Sequence, residues 1–215
     1  MTDLMQPKSY KDIVFPNAAT AKLVDDLVTN RIPFPAYGKN GLLIYGPNGT
    51  GKSTLARLLP DPIEMVRIGR TACVPTSYTV MTGNNGAGLI SSLARVAENV
   101  ALSFGHQFFI LDEVDQLGTA SMNSLKSVMA MPMTIFIMTT NNLSAIERGV
   151  VSRSHLIDMT MPPSSAWLPR CRDALSANGV SKQPNDVVLL PLIASCNGDA
   201  REIMIEMHKL ANDLS

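Results

Sequence analysis

This sequence has few cysteines, no long apolar run and no excess of either charge. Its cysteines, Cys73, Cys171 and Cys196, are odd in number and lack C-x-x-C spacing, which argues against a disulfide framework or a zinc site. We therefore expect buried, reduced thiols, as in a cytosolic protein. No apolar run is long enough to cross a bilayer, and no apolar segment follows a basic start. Neither a membrane span nor a signal peptide is predicted.

The balance of charge argues against functions that depend on a strongly charged protein. The 18 basic residues are matched by 18 acidic ones, so the formal net charge is zero. A protein with this balance has no overall field that would draw it to nucleic acid or to a membrane, although a local basic patch could still do so. The length suits one or two domains. We expect a cytoplasmic protein.

A glycine-rich segment carries the strongest chemical signal. The sequence GPNGTGKS (46–53) fits the pattern G-x-x-x-x-G-K-[ST], with a β-prone apolar run before it at 42–45 and helical spacing after it at 53–59. Its glycines let the backbone approach a ligand closely, and its N–H groups can converge on a phosphate. Lys52 can reach the β- and γ-phosphate oxygens, and Ser53 can bind Mg²⁺. The predicted nucleotide-binding residues here are Gly46, Pro47, Asn48, Gly49, Thr50, Gly51, Lys52, Ser53 and Thr54.

A second motif, which is acidic, is relevant to ATP hydrolysis. In FFILDEVD (108–115), an apolar strand carries Asp112 to its carboxyl end, where α/β sheets bind ligands. Asp112 can hold Mg²⁺ through its water shell, and Glu113 can orient and polarise the attacking water. For Asp115 we favour a charge at the start of a helix over a catalytic role.

The remaining pattern predicts the fold. Near-continuous apolar strands that alternate with helices are typical of a parallel sheet covered on both faces. After Met161 the strands stop, and prolines followed by three helical segments predict a domain boundary between 1–161 and 162–215. The predicted strands are 42–45, 63–68, 106–113, 134–140 and 155–159; the predicted helices are 19–30, 88–104, 120–130, 164–178, 184–195 and 199–213; the segment 79–88 is rich in breakers.

The order of these motifs resembles that of AAA+ ATPases, and among them the clamp-loader subunits: replication factor C small subunits and their T-even phage equivalent. The resemblance extends from residue 6 to residue 213 and implies a P-loop NTPase of α/β class, with a five-stranded parallel sheet and a small all-α lid domain. QPKSYKDIV (6–14) is similar to the N-terminal motif of the family, whose backbone around Ile13 and Val14 would contact adenine.

Three more polar residues gain roles from the resemblance. IMTTNN (137–142) is similar to sensor 1, with Asn141 as the best match and Asn142 as its competitor. VVSRSH (150–155) is similar to the clamp-loader SRC motif, in which Arg153 would enter the ATP site of a neighbouring subunit. GDAREI (198–203) is similar to sensor 2, in which Arg201 would contact the γ-phosphate in its own subunit.

The sequence also departs from the family pattern. Ser154 replaces the cysteine of the SRC motif, and the chain stops at Ser215, so we expect it to lack the helical collar that holds clamp loaders together. Helices that follow DNA in the family carry little charge here. Arg95 and Lys126 are candidate DNA contacts, and ordinary solvated surface charges are the competing interpretation.

These observations predict an ATPase that binds ATP and Mg²⁺ between subunits and acts on DNA in replication. Its expected partners are other subunits of a homo- or hetero-oligomer, DNA, and a sliding clamp or other replication protein, with no membrane. Two alternatives stay open. One is a different AAA+ machine, such as a helicase loader or protein remodeller, and the other is a nucleotide-gated binding module with little turnover.

Overall fold

The computed structural model describes residues 6–72, 77–81, 86–99 and 105–214. Five strands form one parallel sheet in the order β2-β3-β4-β1-β5. The strands are β1 (Gly41–Tyr45), β2 (Ser77–Val80), β3 (Gln107–Asp112), β4 (Thr134–Thr140) and β5 (Ser154–Asp158). The helices are α1 (Ala18–Val28), α2 (Lys52–Leu58), α3 (Pro60–Ile68), α4 (Gly86–Asn99), α5 (Thr119–Val128), α6 (Arg148–Ser152), α7 (Leu168–Ala177), α8 (Asp186–Ser195) and α9 (Ala200–Leu214).

Helices cover both faces of this sheet because successive strand residues alternate between two apolar cores. In β1, Leu42 and Ile44 pack with residues of α1, α2 and α3. Leu43, which lies between them, packs instead with residues of α4, α5 and α6. The helices after residue 163 have a separate core around Trp167, to which Val14 of the N-terminal arm also packs. The predicted five-stranded parallel sheet with flanking helices and C-terminal helices is confirmed.

One predicted strand is wrong, because residues 63–68 belong to helix α3. Pro60 lies in the first turn of that helix, where its fixed φ suits a helix start, and Gly69 ends the helix with φ 73°. Helical spacing buries Ile63 and Glu64 together, which strand alternation would separate. The second strand of the chain is instead β2 (Ser77–Val80), which pairs with β3. The segment 79–88, predicted to be rich in breakers, therefore begins inside a strand.

The parallel sheet has two chemically different edges. Polar residues of the motifs follow the carboxyl ends of β1, β3 and β4, which places them on one edge. The register pairs Gly41 with Ser154, so the starts of β1 and β5 lie together at the opposite, amino edge. In the described part of the chain, no helix is both long enough and apolar enough to cross a membrane.

Candidate functional site

The glycine-rich loop leaves β1 with little room for side chains. The Gly46 N–H donates to the Thr140 carbonyl at 3.3 Å, and a Cβ at Gly46 would overlap the Met159 carbonyl. The Pro47 carbonyl lies inside the loop and accepts from Lys52 Nζ at 2.7 Å. The loop therefore curves around the Lys52 ammonium group, the group that reaches the β- and γ-phosphates in a phosphate-binding loop.

The surroundings of Lys52 in the cavity shift its pKa. Burial lowers the pKa of Lys52 below its ordinary value, and the carboxylates of Asp112, Asp115 and Glu113 oppose this shift. The guanidinium of Arg201 adds to the lowering of that pKa. An anionic ligand would compensate both the burial and the nearby cation, because an opposite charge favours the protonated form.

Asp112 is enclosed by hydroxyl groups. Its Oδ1 accepts from Ser53 Oγ at 2.8 Å and from Thr139 Oγ1, and its Oδ2 accepts from the Tyr78 hydroxyl at 2.6 Å. The Arg57 guanidinium lies 4.0 Å from the centre of the Tyr78 ring. Burial would raise the pKa of Asp112, but the bonds from Thr139, Tyr78 and Ser53 outweigh it, so this pKa lies below its ordinary value. The carboxylate is thus held ionised beside Ser53.

Glu113 and Asn141 lie at the same carboxyl edge and are fixed by neighbouring backbone and side chains. Glu113 is exposed, has φ 61° and donates its N–H to Thr139 Oγ1 at 3.1 Å. Asp115 Oδ1 accepts from the Thr140 hydroxyl at 2.8 Å and from the Asn141 N–H at 3.3 Å. Asp115 thereby ties the end of β4 to the segment after β3, a contact that the sequence did not predict.

Of the two competing asparagines, the structure places Asn141 in the cavity. Asn141 lines it together with Lys52, Ser53 and Glu113. The side-chain oxygen of Asn142 instead accepts from the Ser144 hydroxyl at 2.6 Å. This geometry favours Asn141 as the residue that would face a γ-phosphate.

Arg201 reaches the cavity from the C-terminal helices. The Ala200 N–H, at the start of α9, donates to the Gly49 carbonyl at 2.9 Å, and the Asp199 carboxylate lies against Gly49. Arg201 lines both a cavity of about 190 Å³ beside Lys52 and a larger one of about 1140 Å³. It therefore lies where the two spaces meet.

The larger cavity matches the predicted position of a nucleobase. Its lining includes Ile13 and Val14 of the N-terminal arm, Thr50 and Thr54 of the phosphate loop, and Trp167. Three parts of the chain thus enclose it: the arm, the loop and the C-terminal helices. Each of these parts contains a residue predicted to contact the nucleotide, which in the C-terminal helices is Arg201, whereas Trp167 was not predicted.

Arg153 lies away from this cavity. It immediately precedes β5, and its carbonyl accepts from the N–H groups of Asn40 and Gly41 at the amino edge of the sheet. Its Nη1 donates to the Gly149 carbonyl at 3.0 Å. The five residues of β5 span about 16 Å, so Arg153 is directed to a different surface from the one that carries Lys52.

The two candidate DNA contacts lie on helices that pack together, Arg95 on α4 and Lys126 on α5. Arg95 is exposed. Lys126 forms an ion pair with Glu147 at 3.6 Å, and its methylene stem lies against Gly149. A DNA phosphate at Lys126 would have to compete with a carboxylate that is already present.

Several residues of the site were given no role in the prediction from sequence. They are Arg57, Tyr78, Thr139, Trp167 and Asp199. A weak signal exists for Tyr78, because SYTV (77–80) is rich in β-favouring residues and precedes a glycine-rich segment. Arg57 lies only close to a motif, and Asp199 lies within GDAREI (198–203), where the resemblance gave a role to Arg201 alone.

The residues present fit ATP with Mg²⁺. Ser53 Oγ and Asp112 Oδ1 are oxygen donors of the kind that Mg²⁺ prefers, and they lie 2.8 Å apart. Among the described residues, no group of three or more His, Cys, Asp or Glu side chains is arranged to hold a metal ion. A phosphate-loop metal does not need one, because phosphates and waters complete its shell. When bound there, Mg²⁺ would neutralise charge on the β- and γ-phosphate oxygens.

The fold is similar to that of a solved structure. The structure of PCH-2 from C. elegans superposes with a TM-score of 0.66 at 15% identity, covering 91% of this chain and 62% of that chain. At this identity the likeness shows the fold alone. It supports the P-loop NTPase assignment of the sheet.

Relatives and a family complete the comparison. Replication factor C small subunit 1 of Pyrobaculum arsenaticum is 25% identical over 203 residues, and small subunit 2 of that organism is 27% identical over 202 residues. These matches cover 92% and 91% of this chain but only 57% and 58% of the relatives. Residues 42–161 match the ATPase family associated with various cellular activities (AAA). With the phosphate loop, Asp112 and the parallel sheet in place, the chain belongs to the AAA family.

Proposed function

We propose that this chain hydrolyses ATP as a clamp-loader-type subunit, with each active site completed by a neighbouring subunit. The observation that carries the proposal is the joint lining of one cavity by Lys52, Ser53, Asp112, Glu113 and Asn141, from three different strand ends. The replication factor C relatives support the clamp-loader type. In this proposal, residues 1–161 form the ATPase domain and residues 162–215 the lid.

Within one subunit, each polar group has a separate role. Lys52 would neutralise the β- and γ-phosphates, and Ser53 and Asp112 would hold Mg²⁺. Glu113 would accept a proton from the attacking water while the oxygen of that water approaches the γ-phosphorus. Further roles fall to the residues at the edge of the cavity: Asn141 and Arg201 would contact the γ-phosphate, and the backbone at Ile13 and Val14 would contact adenine.

Between subunits, Arg153 would complete the site. Its position at the amino edge prevents it from serving the cavity of its own subunit. A planar and permanently charged guanidinium can neutralise charge that develops on the transferring phosphoryl oxygens. Hydrolysis would remove the γ-phosphate that joins the two subunits and so change their contact.

DNA and a sliding clamp are the partners that fit this role, in the cytoplasm of a bacterial or phage-infected cell. Arg95 and Lys126 would contact the DNA backbone, and a ring of subunits would multiply weak contacts. Such contacts predict that the ATPase rate measured with DNA falls as the salt concentration rises. Side chains that neutralise DNA phosphates release counterions on binding, and this release is less favourable at high salt.

The test is the ATPase rate per subunit measured over a wide range of protein concentration, with Lys52→Ala as the control for contaminating activity. A rate that rises steeply with concentration is expected, because each site would form between two copies. Arg153→Ala should lower that rate about a thousandfold or more, within the range known for arginine fingers. It should leave ATP binding by the same subunit unchanged.

The opposite results separate the alternatives. A wild-type rate per subunit that is already maximal at the lowest concentration, with Arg153→Ala equally active, would contradict a shared site. The rate could instead be near zero at all concentrations and rise only when primer–template DNA and a sliding clamp are added. That result would mean that the subunits assemble their shared site only with those partners. Stimulation by a protein target without DNA would favour a remodeller or helicase loader.

A further inference from the structure

A tight turn at residues 36–39, here named the Tyr37 turn, presents an aromatic side chain to solvent. Ala36 and Lys39 exchange two backbone hydrogen bonds, of 3.0 and 2.8 Å. Between them Tyr37 has φ 53° and Gly38 has φ 76°, the sign pattern of a type I′ turn. Glycine suits such a position, whereas a bulky side chain rarely adopts it. The Tyr37 side chain is 93% exposed.

The Tyr37 turn is attached to the segment that contains Arg153. Lys39 Nζ donates to the carbonyls of Ser152 at 3.0 Å and Ser154 at 2.7 Å, on either side of Arg153. The N–H groups of Asn40 and Gly41 donate to the Arg153 carbonyl at 3.1 and 3.0 Å. These four bonds fix the turn and the Arg153 backbone as one unit. Any surface that receives Arg153 must therefore lie close to Tyr37.

An exposed apolar side chain is by itself ordinary on a protein surface. Val187 on α8, for example, is 80% exposed and lies on a regular helix. Tyr37 differs because its backbone has a φ that is unfavourable for a bulky residue, while its side chain is not buried. Within its own subunit this position gives Tyr37 no packing that would justify a tyrosine.

We propose that Tyr37 is an interface anchor that packs on a second copy of this chain, next to the site that Arg153 enters. This inference rests on the proposed function, because it uses the shared active site. A tyrosine offers a large apolar face and a hydroxyl with only two side-chain torsions to restrict, which is why it is common among residues that dominate binding. The fixed turn lowers the ordering cost further, since its backbone is already in place.

The test separates the two sides of one interface by mixing two variants. A donor subunit with Glu113→Gln keeps Arg153 but cannot hydrolyse ATP. An acceptor subunit with Arg153→Ala keeps Glu113 but supplies no arginine. Each should be nearly inactive alone, and their mixture should recover turnover at sites where a donor serves an acceptor.

Tyr37→Asn is then added to either subunit. Asparagine tolerates positive φ, so the turn should form at least as well as before. We expect Tyr37→Asn on the donor to lower the recovered rate about tenfold at subsaturating protein concentration. On the acceptor it should change the rate less than twofold. Tyr37→Phe on the donor should retain most of the rate, and Val187→Ala on the donor should retain all of it.

The outcomes are distinguishable. If the mixture recovers turnover and Tyr37→Asn has no effect, or the same effect on both subunits, the anchor is excluded while the shared site stands. If the mixture recovers nothing although both variants bind a fluorescent ATP analogue, the shared site fails and the anchor fails with it. Retained analogue binding by the Tyr37→Asn donor shows that a lost rate does not arise from misfolding.

Discussion

The position of Asp112 depends on hydroxyl groups from three elements. Ser53 lies on α2, Thr139 on β4 and Tyr78 on β2, and all three donate to the same carboxylate. Because side-chain partners that orient a metal-site group affect affinity strongly, the bond from Tyr78 should matter for Mg²⁺. The Arg57 guanidinium above the Tyr78 ring helps to hold it in place.

Tyr78→Phe removes this bond and keeps the ring beneath Arg57. We expect the Mg²⁺ concentration for half-maximal turnover to rise about tenfold, because Asp112 loses a donor that orients it. ATP affinity without Mg²⁺ should be unchanged. Both are measured by Mg²⁺ titration of the ATPase rate and of fluorescent-nucleotide binding.

Tyr10→Phe is the matched control for this experiment. It removes a phenol-to-carboxylate bond of 2.9 Å, to Asp25, outside the cavity. It should leave the Mg²⁺ requirement unchanged. Equal Mg²⁺ requirements for Tyr78→Phe and the wild type would show that Tyr78 does not position Asp112.

Glu113 differs from Asp112 in having an exposed side chain. Its φ of 61° and the bond from its N–H to Thr139 hold its backbone beside the cavity. Glu113→Gln keeps the shape but cannot accept a proton, so we expect turnover to fall about a hundredfold or more with ATP affinity retained. Single-turnover hydrolysis and equilibrium binding test the two statements separately. Normal turnover would remove Glu113 from the role of general base.

At the scale of the elements, α3 is fixed by a half-buried cation. Arg67 donates to the carbonyls of Leu27 and Val28 at 2.6 Å and to the Phe34 carbonyl at 2.7 Å. Two of these carbonyls belong to the last turn of α1, where the helix itself supplies few partners, and the Leu27 carbonyl also accepts from the Asn30 N–H at 3.4 Å. Arg67 therefore joins the end of α1 to α3 and to the loop before β1.

Arg67→Met keeps the length of the side chain and removes its donors. We expect a loss of about 3 kcal/mol in the free energy of unfolding, because buried carbonyls are left unsatisfied. Urea unfolding followed by circular dichroism gives the value. Lys182→Met, which removes an exposed cation, should change it by less than about 0.5 kcal/mol. Equal losses in the two variants would contradict a special role for Arg67.

At the scale of the whole molecule, the C-terminal helices contact the phosphate loop directly. The Ala200 N–H donates to the Gly49 carbonyl, and the Asp199 carboxylate lies where a Cβ at Gly49 would be. Gly51, two residues further on, has no atom within 4 Å of such a position. Both glycines have positive φ, of 82° and 90°, so they differ mainly in their contact with Asp199 and the start of α9.

Gly49→Ala and Gly51→Ala therefore form a matched pair. Both should strain the loop, but only Gly49→Ala should also displace Asp199 and the start of α9. We expect Gly49→Ala to weaken ATP binding about tenfold more than Gly51→Ala, as measured by fluorescent-nucleotide titration. Similar affinities for the two variants would mean that the contact between Gly49 and the start of α9 contributes nothing to ATP binding.

The sequence by itself determined the parts whose chemistry lies in consecutive residues. A phosphate loop needs its glycines, Lys52 and Ser53 in one short segment, and Asp112 and Glu113 must directly follow an apolar strand. The strands β1, β3 and β4 were predicted because buried parallel strands are continuously apolar, and β5, at the edge of the sheet, was predicted from a shorter run. The family resemblance was likewise carried by short motifs, and the matching family confirms it.

Only the tertiary structure decided which distant residues meet. The second strand was placed wrongly, since IEMVRI (63–68) suits a strand locally but takes its helical form from Pro60 and from the burial of Glu64 against His106. Tyr78 meets Asp112 across 34 positions because β2 pairs with β3 in one particular register. The Tyr37 turn lies beside Arg153 because β1 and β5 start at the same edge. Such contacts depend on strand order and register, which local sequence patterns do not contain.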